Sequence, residues 1–136
     1  MNPLKEIKTI EAPSPVGPYS QAIMAGGWLY CSGQIPIDPS NGSIVGEGDV
    51  AAQTQQVLKN LKAVLKASGC EISQVVKTTI FLADLNDFST VNEIYSQTFN
   101  GPIPPARACV EVAAIPKGCL VEIECIALTS SKEKVI

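Results

Sequence analysis

The chain has 136 residues, 46% of them apolar and 17% charged, with a net charge of −3, which suits one globular domain over residues 1–136 and excludes a disordered or strongly basic protein. No apolar run approaches the roughly 20 residues that span a bilayer, and the first residues carry neither a secretory nor an organelle-targeting pattern, so a cytoplasmic protein is expected. Histidine is absent, which removes Ser-His-Asp and Cys-His catalysis and His-ligated zinc; the five cysteines form no C-x-x-C pair and read as reduced thiols.

In chain order, Pro13, Pro15, Gly17 and Pro18 keep the first 18 residues extended, with one short strand expected over 5–10. Residues 20–24 and 28–34 flank Ala25-Gly26-Gly27 and predict a β-hairpin about a glycine turn. Residues 36–48 carry turn chemistry and read as a loop. Over 49–68, Val50, Thr54, Val57, Leu58, Leu61, Val64 and Leu65 recur at three- and four-residue spacing, predicting an amphipathic helix that starts at Asp49 and stops at Gly69.

The β-branched and aromatic run 75–82 predicts a strand. Asp84 opens a second helix through about Phe99, with Phe88, Val91, Tyr95 and Phe99 on one side. Two further strands, around Arg107 and around Glu122, complete a β-β-β-α-β-α-β-β order. This is an α+β fold with a mixed sheet of about six strands, and right-handed crossovers place both helices on one sheet face. Nothing in the chain covers the other, partly apolar face, so a homo-oligomer with pockets between subunits is expected.

The last two strands carry the candidate chemistry. Arg107, after Pro104-Pro105, reads as a bidentate clamp for a carboxylate; the alternative is a rim salt bridge with Glu111, Glu122 or Glu124. Glu122 and Glu124 share one strand face, and one of them could position or deprotonate a water. Read as one hairpin, the two strands leave open which glutamate meets Arg107, because a one-residue slip reverses the answer. Tyr19, Ser32 and Gly33 read as turn chemistry that could also approach a ligand. Asn92 reads equally as a satisfied amide or a contact, and Cys109 as a small apolar wall residue.

Taken together, Gly17-Pro18-Tyr19-Ser20-Gln21, Ser32-Gly33-Gln34-Ile35-Pro36, Val76-Lys77-Thr78-Thr79, Asp84-Leu85-Asn86-Asp87-Phe88, Val91-Asn92-Glu93-Ile94-Tyr95, Pro105-Ala106-Arg107-Ala108-Cys109-Val110-Glu111-Val112 and Val121-Glu122-Ile123-Glu124 resemble the Rid family of reactive-intermediate (enamine/imine) deaminases, also called YjgF-type, and its RidA-type subgroup. The resemblance implies a chorismate-mutase-like homotrimer that hydrolyses 2-iminobutanoate and 2-iminopropanoate to 2-oxo acids and ammonia, without a cofactor. It implies that Arg107 pairs with the substrate carboxylate, that Glu122 positions the attacking water, and that Tyr19, Ser32, Gly33, Asn92 and Cys109 line the pocket. Two alternatives stand beside this one. An endoribonuclease or translation inhibitor is weighed down by the acidic balance and the missing histidine. A non-catalytic small-carboxylate binder or holdase-like oligomer would need Arg107 but not Glu122.

Overall fold

The computed structural model describes residues 3–129; the C-terminal segment read from the sequence as frayed lies outside them. Six strands and two helices alternate as expected: β1 (Leu4–Ile7), β2 (Ala22–Ala25), β3 (Trp28–Gln34), α1 (Val50–Ala67), β4 (Val75–Leu82), α2 (Phe88–Thr98), β5 (Ala106–Glu111) and β6 (Val121–Leu128). They form one sheet in the order β1-β2-β3-β6-β4-β5. Only the β4–β5 pair is parallel, as a crossover through a helix requires.

Each helix is specified locally. The Asp49 carboxylate accepts the Ala52 N–H at 3.1 Å to cap α1, and Gly69, at φ 75°, ends it in the left-handed region. Val57, Leu58, Leu61, Val64 and Leu65 are buried, packed with Ile80, Leu82, Val121, Ile123, Cys125 and Ala127 of β4 and β6 in one core cluster. Fully burying such side chains stabilises by about 1.5–3 kcal/mol each. The second helix begins later than the sequence suggests. The Asp84 side chain accepts the Asn86 N–H at 2.9 Å, which winds Leu85–Asp87 into a 3₁₀ turn before α2.

Three further expectations are corrected. The first strand stops at Ile7 rather than residue 10, because the buried Gln21 side chain takes over the ladder bonds of Thr9. Its Oε1 accepts the Thr9 N–H at 2.8 Å and its Nε2 donates to the carbonyls of Thr9, Ala12 and Pro13. The face of α1 is also not purely apolar. Asn60 donates to the Ile35 and Ile37 carbonyls, and Gln53 ties the Gly46 carbonyl to the Leu120 N–H, so two buried amides hold the loop 36–48 and the β6 entry.

The third correction bears on function. The strands of Arg107 and Glu122 do not form a hairpin, because β4 lies between them. β5 returns from α2 beside β4, and the connection to β6 crosses the end of β4, where Val112 N–H reaches the Leu82 carbonyl and Ala83 N–H the Leu120 carbonyl. β6 then pairs antiparallel with the other edge of β4.

The sheet face away from the helices is open, as expected. Tyr30, 48% exposed, alternates with the buried Leu29 and Cys31 on β3, and Val110, 43% exposed, follows the half-buried Cys109 on β5.

Candidate functional site

Register decides how the charged residues are placed. Arg107 stands opposite Thr78 on β4, and Thr78 stands opposite Cys125 on β6. Thr78 and Cys125 are buried, and the Thr78 hydroxyl contacts Tyr95 of α2, so this row faces the helices. Glu122 stands opposite Phe81 and Glu124 opposite Thr79, both an odd number of residues from Thr78. Both glutamates therefore project from the open face, and the two groups that looked like neighbours occupy opposite sides of one sheet.

Arg107 is exposed on the edge strand yet held in place. Its Nη1 donates to Asn92 Oδ1 at 2.7 Å, and its guanidinium lies 4.9 Å from the Tyr95 ring centroid and 5.5 Å from that of Phe88. No ion pair joins it to a carboxylate among the described residues. The rim salt bridge is accordingly absent: Glu111 instead accepts the Leu85 N–H at 2.8 Å. The guanidinium borders a cleft of about 410 Å³ lined by Asn92, Tyr95, Ser96, Phe99, Pro104 and Pro105. Cys109 follows on the same face, half-buried. Burial pushes its thiol pKa up, opposed in part by the Arg107 charge, which keeps it neutral and unsuited to nucleophilic work.

Glu122 has different surroundings. It is half-buried, and desolvation, with a smaller contribution from the Glu124 charge, raises its carboxyl pKa above the ordinary value. Gly33 of β3 lies directly against it: a Cβ there would come within 3.0 Å of the Glu122 Cδ, so only glycine lets the carboxylate sit where it does. Next to it, Ser32 donates from Oγ to the Ser20 carbonyl at 2.6 Å, and Ser20 is the chain neighbour of Tyr19. The Tyr19 side chain is exposed, its hydroxyl 3.4 Å from the Val16 N–H.

The expected site residues thus fall into two half-sites. Arg107, Asn92 and Cys109 form one at the β5–α2 edge; Glu122, Gly33 and Ser32, with Tyr19 nearby, form the other toward the open face. The first can bind a planar anion such as a carboxylate, and the second can hold or move a proton at a carboxylate of raised pKa. Sequence reasoning missed the aromatic support beneath Arg107. Phe88, Asn92 and Tyr95 share one helical face at four- and three-residue spacing, but a ring beside an amide reads first as core. A larger groove of about 510 Å³ beside the N-terminal segment, lined by Glu6 to Ile10, Ser14, Pro15 and Gln21, contains none of these residues.

Comparison with known proteins assigns these features a family. The model of the family described as Endoribonuclease L-PSP matches residues 9–129. The chain is 53% identical over 122 residues to the human 2-iminobutanoate/2-iminopropanoate deaminase, covering 90% of this chain and 88% of that protein. Among solved structures it resembles a protein of the conserved Rid family from Yersinia pestis, with a TM-score of 0.89, 55% identity, and 91% and 98% of the two chains covered. It also resembles TdcF of E. coli with bound serine, with a TM-score of 0.87, 43% identity, and 93% and 99% covered.

Proposed function

The chain belongs to the Endoribonuclease L-PSP family, the Rid proteins, and on that premise we propose that it is an enamine/imine deaminase hydrolysing 2-iminobutanoate and 2-iminopropanoate to 2-oxo acids and ammonia. The observation that carries this reading is Arg107. Its guanidinium is fixed by Asn92 and two rings, opens onto a cleft, and has no carboxylate of its own chain as ion-pair partner among the described residues. A buried or braced arginine left without an anion suits an anionic ligand. The relative named a 2-iminobutanoate/2-iminopropanoate deaminase and the neighbour with bound serine both point to a small amino-acid-like carboxylate.

In this reading Arg107 grips the substrate carboxylate and Glu122 orients a water against the imine carbon. The water oxygen bonds to the carbon of the protonated imine, the C=N π pair moves to nitrogen and Glu122 takes one proton of the water, giving a neutral carbinolamine. Glu122 returns that proton to nitrogen and takes the hydroxyl proton as the C–N bond breaks, so the 2-oxo acid and ammonia leave and Glu122 passes the last proton to ammonia. The imine carbon is already electrophilic, so positioning and one carboxylate suffice for the step, with no metal and no cofactor called for. Tyr19, Ser32, Gly33, Asn92 and Cys109 line the pocket.

Arg107 and Glu122 lie on opposite sheet faces of one chain, which favours sites completed between copies. We place three copies around an axis so that the β5 edge of one meets the open face and Glu122 of the next. The open face, with Trp28, Tyr30 and Val110 exposed, has the apolar content such an interface needs. The decisive experiment generates 2-iminobutanoate in situ with a dehydratase and follows ammonia release by wild type, Arg107→Ala and Glu122→Gln side by side. Release no faster than in the enzyme's absence, or unchanged by Arg107→Ala, would sink the reading.

A further inference from the structure

The guanidinium of Arg107 rests on Phe88, Asn92 and Tyr95 of α2, and one of these is itself tethered to β4. Tyr95 of α2 is buried, and its ring lies 4.9 Å beneath the guanidinium. Its hydroxyl is 2.7 Å from Thr78 Oγ1, and Thr78 is the residue paired with Arg107 across the β4–β5 ladder. Phe99 packs against the same ring with centroids 4.5 Å apart. β4, α2 and β5 are therefore closed into a loop of contacts that runs Arg107, Tyr95, Thr78 and back to Arg107 through the strand pairing.

We propose that Tyr95, fixed by its hydroxyl bond to Thr78, is a positioning residue that holds the Arg107 guanidinium in the plane and at the height needed to grip a carboxylate. The inference rests on the proposed role of Arg107 as carboxylate anchor. An arginine on an exposed edge strand samples many rotamers. A ring beneath the π-face restricts them while leaving the in-plane N–H groups to Asn92 and to the ligand. The phenol and the threonine hydroxyl are both buried, and each satisfies the other. That bond stops the ring from sliding along the core, so the platform keeps its place when the cleft fills.

The test uses the full-length assembled protein and two readouts: imine hydrolysis resolved into KM and kcat, and calorimetric binding of 2-oxobutanoate. Removing the ring in Tyr95→Leu is expected to raise KM and the 2-oxobutanoate Kd together by roughly 3- to 30-fold, with a smaller change in kcat. Tyr95→Phe and Thr78→Val keep the ring but free it, and each is expected to raise both constants less, by roughly 2- to 5-fold. In the double variant Tyr95→Phe/Thr78→Val the orphaned hydroxyl is gone, so melting temperature recovers toward wild type while Kd stays raised. A purely structural role would return Kd together with melting temperature, and that outcome overturns the inference. So does wild-type Kd in folded Tyr95→Leu alongside lost binding in Arg107→Ala. Unchanged binding and hydrolysis in Arg107→Ala instead overturns the anchor role and this inference with it.

Discussion

Arg107 and Glu122 project from opposite faces of the same sheet, separated by β4. The two groups that a single-chain active site would need side by side therefore cannot be brought together by a rotamer change, because the sheet lies between them. The geometry suits the proposed arrangement between two copies, in which one copy grips the substrate carboxylate and the other deprotonates the attacking water.

This arrangement gives a complementation test. Arg107→Ala and Glu122→Gln proteins are each expected to be strongly impaired at low substrate concentration, yet co-refolding them as an equal mixture should restore wild-type turnover in about one quarter of sites, the fraction that random assembly gives an intact Arg107 from one copy and an intact Glu122 from the next. If both groups acted from one chain, the mixture would be no faster than the average of its components.

Removing the proposed anchor and removing the proposed base should differ in kind. Arg107→Ala loses charge-assisted hydrogen bonds to the substrate, so kcat/KM should fall by roughly 10- to 150-fold, with KM carrying much of the loss. Glu122→Gln should lower kcat by roughly 10²- to 10⁴-fold with KM little changed. Steady-state ammonia release across substrate concentration separates the two.

The pH dependence follows from the raised pKa of Glu122, caused first by desolvation and then by Glu124. As the proposed base, Glu122 must be ionised, so kcat is expected to fall as pH drops through a midpoint above the ordinary carboxylate value. The stability effect has the opposite sense. The folded state holds this proton more tightly than the unfolded chain, so ionising Glu122 lowers stability as pH rises through the raised value. Glu122→Gln should therefore melt higher than wild type at neutral pH, with the gap closing in acid below the ordinary carboxylate range. A melting gap that widened in acid would contradict the burial of Glu122.

Gly33→Ala tests the fit between β3 and β6. Gly33 does not need a left-handed backbone, but its Cβ would run into the Glu122 carboxylate. The substitution should leave the fold intact and push the carboxylate aside, lowering kcat by about 10²-fold, as misplacement by an ångström can. Circular dichroism with kinetics checks both halves; full activity with a normal fold would show that the carboxylate position tolerates displacement.

Gln21→Ala should be a stability variant. The buried amide makes four hydrogen bonds to the Thr9–Pro13 segment, and its loss leaves several backbone groups without partners. About 1–3 kcal/mol of destabilisation is expected, read as a lower melting temperature and faster amide exchange over residues 9–13.

Much of this was legible in the residues. The stripe from Val57 to Leu65, the Asp49 start and the Gly69 stop place α1 within one residue of where it lies, because the helical period and its end signals are local. The run Val75–Leu82 is found through its β-branched and aromatic content, and the strands around Arg107 and Glu122 through alternation, both equally local signals. Gln21, Gln53 and Asn60 escaped because a buried amide looks like any polar residue until the backbone groups it meets, up to 67 positions away, are known. The same holds for Tyr95: its ring fits an apolar stripe, and only Thr78 and Arg107 show what the hydroxyl and the face are for.

The order of elements, the shared strand face of Glu122 and Glu124, the family and the lack of histidine can all be read from the residues in line. All of these rest on local periodicity, residue type or motif spacing. That β4 separates Arg107 from Glu122, that Gly33 touches the glutamate, and that Asn92, Tyr95 and Phe88 brace the arginine emerges from the folded chain alone. Strand order and register arise from which distant edges pair once the helices have packed, and neighbours in sequence carry no record of that choice.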